Sequence, residues 1–240
     1  MNVDSLMTAS RPFLDWVVNW HDNLDVLPLD SAIGEPGRTA VLAVDVVNGF
    51  CYQGPLASER VAGIVPPIVD LFKAAYSRGV RHFILPQEHH LPDAVEFDSY
   101  GRHCVAGTDE AETVPEIAAL PFADQFVKIG KNSINAFVDT GLEAWMEEHP
   151  RVNTFIVVGD CTDLCTYQLA IHLRLRANAR QQRDVRVILP INGVQTYDLP
   201  VKVAEGLGLV PHDGDLLHLI FLYSMMLNGV QVVSGLREED

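Results

Sequence analysis

The sequence predicts an α/β protein, a three-layer, doubly wound and mostly parallel sheet with helices on both faces. Three observations carry that prediction. Short apolar runs of strand length recur along the chain, helical stretches separate them, and reactive side chains fall directly after the runs. A strand covered on both faces reads as unbroken apolar residues, and parallel neighbours need a long crossover between them, usually a helix. In such sheets sites form beyond the C-terminal strand ends.

The elements follow in order. Phe13, Trp16, Val17 and Trp20 recur at three- and four-residue spacing, which predicts an amphipathic packing helix. A link marked by Pro28, Gly34, Pro36 and Gly37 follows, so residues 1–36 read as an N-terminal helical extension and 37–240 as a single domain. Thr39 to Asp45 is the first strand, and a helix is expected from about Val61 to Ser77, stopped by Gly79. His82 to Leu85 is the second strand and Phe126 to Lys128 a weak third. Leu142 to His149 is helical, Thr154 to Val158 a strong strand, and Thr162 to Asn178 a helix. Val185 to Leu189 is a strand, Val201 to Leu207 and Asp215 to Leu227 are helices, and Gln231 to Val233 is a last short strand.

Bulk properties narrow the function. A formal net charge of −15 opposes nucleic acid or an anionic membrane as partner, because both depend on Lys and Arg density. The apolar stretch from Leu216 to Leu227 is too short to span a bilayer and reads as a buried helix or a subunit contact. No basic-then-apolar leader opens the chain, so a cytoplasmic protein is expected. Four cysteines at this length give no disulfide framework. Cys51 and Cys104 read as small buried hydrophobes.

Cys165 differs by position. It lies in Val158-Gly-Asp-Cys-Thr-Asp-Leu-Cys165, where a strand ends at Gly159, a tight turn follows, and a helix is expected to begin near Thr162 or Asp163, both good N-caps. In a first helical turn, free N–H groups and the positive end of the helix dipole favour a thiolate and can also donate to an oxyanion. Asp45 closes the first strand, where a turn or cap role competes with a functional one. Lys131 reads as a loop lysine after the weak strand, and its interest rests on whether it meets Asp45 and Cys165. After the second strand, Glu88, His89, His90, Asp93, Glu96 and His103 form a loop of the ligand types that zinc, iron or manganese prefer.

Four segments in order resemble the nicotinamidase/isochorismatase-like cysteine hydrolase superfamily, and its nicotinamidase branch in particular. Val44-Asp-Val-Val-Asn-Gly-Phe50 is similar to its first-strand motif and Gly159-Asp-Cys-Thr-Asp-Leu-Cys165 to its nucleophile turn. Lys131-Asn-Ser-Ile-Asn-Ala-Phe resembles its lysine loop and Tyr100-Gly-Arg-His-Cys-Val-Ala-Gly-Thr108 its histidine segment. Thr196-Tyr-Asp-Leu-Pro200 is similar to the plant-type group. The resemblance implies the isochorismatase-like hydrolase fold and a catalytic triad of Asp45, Lys131 and Cys165. It further implies a cis peptide at Asp160–Cys161, with the N–H groups of Cys161 and Cys165 as oxyanion hole. Phe50 and Tyr100 would sandwich a substrate ring, and Glu88, His90 and His103 would hold a divalent zinc, iron or manganese ion.

The implied activity is hydrolysis of nicotinamide to nicotinate and ammonia through a cysteine thioester, by an enzyme of NAD salvage that assembles as a homo-oligomer. Within the superfamily the alternative is another small-amide or carbamoyl hydrolase. Glu88 stands where the family has Asp, and Arg102 would set a cation beside the pocket that favours a carboxylate-bearing substrate. An alternative register of the metal loop uses Gln87 and His89. A non-catalytic α/β small-molecule-binding domain lacks support, since no G-x-G-x-x-G pattern follows the first strand.

Overall fold

In the computed structural model, which describes residues 2–238, apolar runs with no polar interruption become the centre of one sheet. Strands β1 (Val26–Pro28), β2 (Thr39–Val44), β3 (His82–Glu88), β4 (Val127–Lys131), β5 (Thr154–Asp160), β6 (Arg186–Pro190), β7 (Val194–Gln195), β8 (Gln231–Val233) and β9 (Gly235–Arg237) form two sheets. The larger has the order β4-β3-β2-β5-β6-β8, with β7 pairing β5, and every pairing in it is parallel. The fold predicted from the sequence is therefore the one observed.

Strand alternation divides the core in two. Val41 and Ala43 of β2 face one apolar cluster with helix α2 (Val65–Ser77); Ala40, Leu42 and Val44 face a second. That second cluster holds α3 (Leu142–Glu148), α4 (Cys165–Ala179) and α6 (Gly214–Leu227), the last preceded in the chain by α5 (Val201–Leu207). All six residues of β2 are buried, which is why its sequence carries no polar alternation.

The N-terminal extension is more ordered than a helix plus a link. Helix α1 (Val3–Asp22) begins at Asn2, whose side chain accepts from the Ser5 N–H. Phe13, Trp16 and Trp20 set their rings edge-on around Tyr223 of α6, so the apolar C-terminal helix is partly covered within the chain. Beyond α1, β1 pairs in parallel with β9, and a short helix, Leu29–Ile33, enters the core. Among the described residues no helix is long and apolar enough to cross a membrane.

Three boundaries differ from the sequence reading in ways that matter. Strand β3 runs on to Glu88 and β4 to Lys131, so these two side chains sit on strand ends rather than in loops, paired directly across the sheet. The helix after β5 starts at Cys165, not at Thr162 or Asp163. Both would-be caps are engaged elsewhere: the Thr162 hydroxyl lies 2.7 Å from His218 Nδ1, and Asp163 binds Thr196 and His212.

Gly159 is fixed by close approach. Its φ is +118°, and a Cβ there would lie 2.0 Å from the Val44 carbonyl oxygen. Gly159→Ala is therefore expected to lower unfolding free energy by about 3 kcal/mol or more, read by urea denaturation.

Candidate active site

The backbone puts the reactive groups together before any side chain is considered. Asp45 leaves β2 in the left-handed region at φ +57°, a conformation Asp tolerates better than most residues. Its N–H donates to the Pro86 carbonyl at 2.9 Å, and its Oδ1 accepts from the Glu88 N–H at 2.8 Å. Lys131 and Glu88 are register partners on β4 and β3, so their side chains rise from the same face.

The result is a buried charge cluster. Lys131 Nζ lies 2.8 Å from Asp45 Oδ2 and 2.9 Å from Glu88 Oε1. The first contact is close but poorly aligned for a hydrogen bond. The same ammonium is 3.5 Å from Cys165 Sγ, and that thiol is 3.6 Å from Glu88 Oε1. Asp45, Lys131 and Cys165, predicted together, do meet; none is more than 5 % exposed.

One ammonium serves two carboxylates, and the titration behaviour follows. Burial lifts the Asp45 carboxyl to about 6, with Lys131 pulling it down and Glu88 pushing it further up. Burial also raises Glu88, but Lys131, His103 and His90 outweigh it and hold its carboxyl well below the usual range. Lys131 is pushed well above the usual lysine value, the carboxylates and thiol overcoming its desolvation. Burial raises the Cys165 thiol, and Asp45 and Glu88 add to the rise against Lys131. At rest the sulfur keeps its proton, beside a base that is ionised above pH 6.

Around Cys165 the backbone offers free donors. The N–H groups of Thr162, Leu164 and Thr166 are bonded to carbonyls, whereas those of Cys161 and Cys165 meet none among the described residues. The Asp160–Cys161 peptide is cis, as the resemblance implied.

The other carboxylate oxygen of Glu88 faces a histidine pair. Oε2 lies 3.1 Å from His90 Nε2 and 2.8 Å from His103 Nε2. On the far side of each ring, His90 Nδ1 meets Asn132 Oδ1 at 3.2 Å and His103 Nδ1 meets the Gly101 carbonyl at 2.8 Å. Asn132 Oδ1 also accepts from the Leu91 N–H, which fixes it as an acceptor. Each Nδ1 is then a donor, so that in its neutral form each ring turns the Nε2 lone pair towards a carboxylate oxygen. Acceptors converging on acceptors fit a shared cation, and outer hydrogen bonds of this kind orient metal-ligating histidines. Glu88, His90, Glu96 and His103 can each offer one ligand atom, all within 4.8 Å of one another.

Glu88 and His90 thus point inward together. In the alternative register Gln87 bonds Thr113 and His89 reaches the Ala111 carbonyl, away from the cluster. Arg102 is a correction. Its guanidinium donates to the Pro92 carbonyl at 2.6 Å and lies over Phe97, exposed, and does not line the pocket.

A cleft opens over Cys165, bordered by Phe50, Tyr100, Ile134, Leu164 and Val61. Phe50 and Tyr100 line it as expected, and two further residues that the sequence reading passed over do so too: Tyr197 and Asp160. Tyr197 stacks on His212 with ring centres 3.9 Å apart. His212 is held by Asp163 at 2.8 Å and lies 2.9 Å from the Tyr197 carbonyl. The sequence signal for Tyr197 was the Thr196-Tyr-Asp-Leu-Pro200 segment, whose likeness to the plant-type group carried no role for the tyrosine.

The Isochorismatase domain model matches residues 39–198, the span from β2 to just past β7. The chain belongs to the isochorismatase domain family. Nicotinamidase 1 of Arabidopsis thaliana is 31 % identical over 236 residues, covering 89 % of this chain and 90 % of the relative. Among solved structures in this fold, the pyrazinamidase of Pyrococcus horikoshii in complex with zinc superposes with a TM-score of 0.59 at 19 % identity. That match covers 82 % of this chain and 98 % of the other. The N-carbamoylsarcosine amidase of Thermoplasma acidophilum gives 0.60 at 21 % identity, covering 82 % and 95 %.

The Asp163–His212 pair has a defined pH window. Burial raises Asp163, but hydrogen bonds from His212 and Thr196 outweigh it and leave its carboxyl below the ordinary 3.8. Burial lowers His212, and Asp163 outweighs that to leave it above 6.5. The Asp163 contribution is present above 3.8 and lost as pH falls further; that of His212 is present below 6.5 and lost as pH rises through its raised value. His212→Gln is expected to cost about 1–3 kcal/mol between pH 4 and 6.5, and less at pH 9. Urea unfolding across that range checks it, and a cost independent of pH would show the pair to be uncharged.

Proposed function

We propose that this protein is a cysteine-dependent amidohydrolase that converts nicotinamide to nicotinate and ammonia. The observation that carries the reading is Cys165 Sγ at the start of a helix, 3.5 Å from a lysine ammonium that also holds Asp45. The likeness to a plant nicotinamidase over most of both chains supports nicotinamide as substrate. Residues 1–36 are then an extension on a catalytic domain formed by 37–240.

The chemistry follows from the resting protonation states. Asp45, ionised above about pH 6, takes the Cys165 proton as Sγ attacks the carboxamide carbon. Lys131 offsets the negative charge on the carboxylate and on the emerging thiolate, a stabilisation that a low-dielectric site does not dilute. The N–H groups of Cys161 and Cys165 receive the oxyanion. The C–N bond breaks, Asp45 returns its proton to the departing nitrogen, and ammonia leaves. Asp45 then draws a proton from water as the water attacks the thioester; the acid is released and Sγ regains its proton. Phe50 and Tyr100 bracket the ring.

Glu88, His90 and His103, with Glu96 beside them, would hold a divalent ion, for which zinc, iron and manganese are the candidates. Such an ion would supply an electrophilic contact for a ring nitrogen, so its removal bears on binding. A second reading within the family, a carbamoyl hydrolase, has the fold likeness to an N-carbamoylsarcosine amidase in its favour. The cleft lining favours the ring: it is largely apolar, and among the described residues no Arg or Lys borders it to receive a substrate carboxylate.

Ammonia release from nicotinamide, pyrazinamide and N-carbamoyl amino acids separates these readings, and turnover confined to the carbamoyl compounds would exclude ours. Cys165→Ala is expected to abolish turnover and leave the melting curve cooperative. kcat/KM should fall tenfold per pH unit below about pH 6, as Asp45 takes up its proton. Chelation should raise KM by more than it lowers kcat.

A further inference from the structure

Tyr197 borders the cleft together with Cys161, and the chain on both sides of it is tied down. Strand β7 runs beside β5 with Gln195 opposite Asp160, and the Gln195 carbonyl accepts from the Thr162 N–H at 3.0 Å. Two residues on, Tyr197 therefore stands against the nucleophile turn, on its Cys161 side. The Thr196 carbonyl accepts from Arg60 Nε at 3.2 Å, and Asp198 Oδ1 accepts from the Gly214 N–H at 2.9 Å. Gly214 fits closely, since a Cβ there would lie 2.7 Å from the Tyr197 carbonyl oxygen. A short connection between strand and helix is thus held in one place by three separate elements.

His212 is the part of this support that meets the ring itself. It is 8 % exposed and sits behind Tyr197 rather than on the cleft. Its imidazole lies almost flat against the phenol, the planes 18° from parallel. Nδ1 faces the Tyr197 carbonyl and Nε2 faces Asp163 Oδ2, both acceptors, so the form that satisfies both is the imidazolium. A cation of that shape is attracted to the electron-rich face of a phenol. The His212 backbone is fixed too, exchanging hydrogen bonds of 2.7 and 2.9 Å with Leu199. One face of Tyr197 is thereby occupied, which leaves the opposite face or an edge for the cleft. Its hydroxyl makes no hydrogen bond among the described residues, so what is held is the ring.

Asp163 carries the support through to the nucleophile. It lies two residues before Cys165, and besides His212 it accepts from the Thr196 hydroxyl at 2.6 Å. One carboxylate therefore fixes both the turn that presents the thiol and the residue behind Tyr197. We propose that Tyr197 is a specificity-determining residue, a third aromatic wall for the substrate ring beside Phe50 and Tyr100, and that His212 is its positioning residue. The proposal rests on the aromatic-amide reading of the cleft. Removing either residue weakens the hold on a planar ring. Bond cleavage at Cys165, whose base and oxyanion donors are other groups, is left nearly as fast.

Steady-state kinetics with nicotinamide separate binding from cleavage. Tyr197→Ala should raise KM about tenfold and leave kcat within about threefold, while Tyr197→Phe stays within about twofold of wild type in both. His212→Gln should raise KM at least about threefold on its own, and no further in a Tyr197→Ala protein, where the wall it holds is gone. A KM unmoved by either single substitution, or raised by His212→Gln equally in both backgrounds, would overturn the proposal. If the alanine variant does not fold, ring resonances of isotope-labelled tyrosine in the Cys165→Ala protein decide instead. The Tyr197 signal, identified by its absence when Tyr197→Phe is added, must shift with nicotinamide; an unmoved signal overturns the proposal. Ammonia release from nicotinamide by the wild-type protein is scored first and tests only the proposed reaction. If none is released, the wall is measured through Cys165 itself, by the rate of alkylation with N-phenyliodoacetamide relative to iodoacetamide. That ratio should fall at least about threefold in Tyr197→Ala and in His212→Gln, and a wild-type ratio in either overturns the proposal.

Discussion

The ammonium of Lys131 is the contact on which the rest of the site depends. It is buried with Asp45 and Glu88, and removing either kind of partner would leave a charge without compensation in the interior, a loss of roughly 3–5 kcal/mol. The sheet makes the arrangement possible. Register pairing sets Glu88 beside Lys131, and the left-handed turn at Asp45 swings its carboxylate under the Glu88 N–H. Because burial raises Asp45 and the one nearby cation is shared with a second acid, Asp45 stays basic enough to accept a proton near neutrality, while Lys131 and the two histidines keep Glu88 ionised. A strongly bound, private ion pair would have made Asp45 a poor base.

Glu88 gives this chain a link between two functional regions. One oxygen lies against Lys131 and the other against the two histidine Nε2 atoms, so the proposed metal cluster and the proposed triad have a carboxylate in common. A similar sharing occurs on the other side of the cleft, where Asp163 of the turn ahead of Cys165 also anchors His212, against which Tyr197 stacks. The wall of the cleft and the nucleophile turn are therefore held by overlapping sets of hydrogen bonds.

The doubly wound fold was legible because its central strands are covered on both faces and so announce themselves as unbroken apolar runs. What was hidden lay at their ends. Glu88 and Lys131 extend β3 and β4, but polar residues at a strand's C-terminus look like loop, since their burial is compensated by one another and not by apolar packing. Thr162 and Asp163 have the composition of helix caps, yet His218, Thr196 and His212 claim their side chains, and those partners are distant in sequence. Arg102 stands two residues after Tyr100, but a backbone carbonyl at Pro92 draws it outward. Strands β1 and β9 have three residues each, too few for any periodicity. Asp45, Lys131 and Cys165 were found through their motifs; their contact could be learned only from the sheet order.

Asp45 follows the end of β2, and Glu88, Lys131 and Asp160 are the last residues of β3, β4 and β5. Each strand thus acts as a ruler measured from its own start to a charged or ionisable tip. Inserting one residue within any of them would advance its tip by about 3.3 Å and turn it to the opposite face of the sheet. Length variation is consequently excluded from these four strands, whose residue count sets where each tip stands.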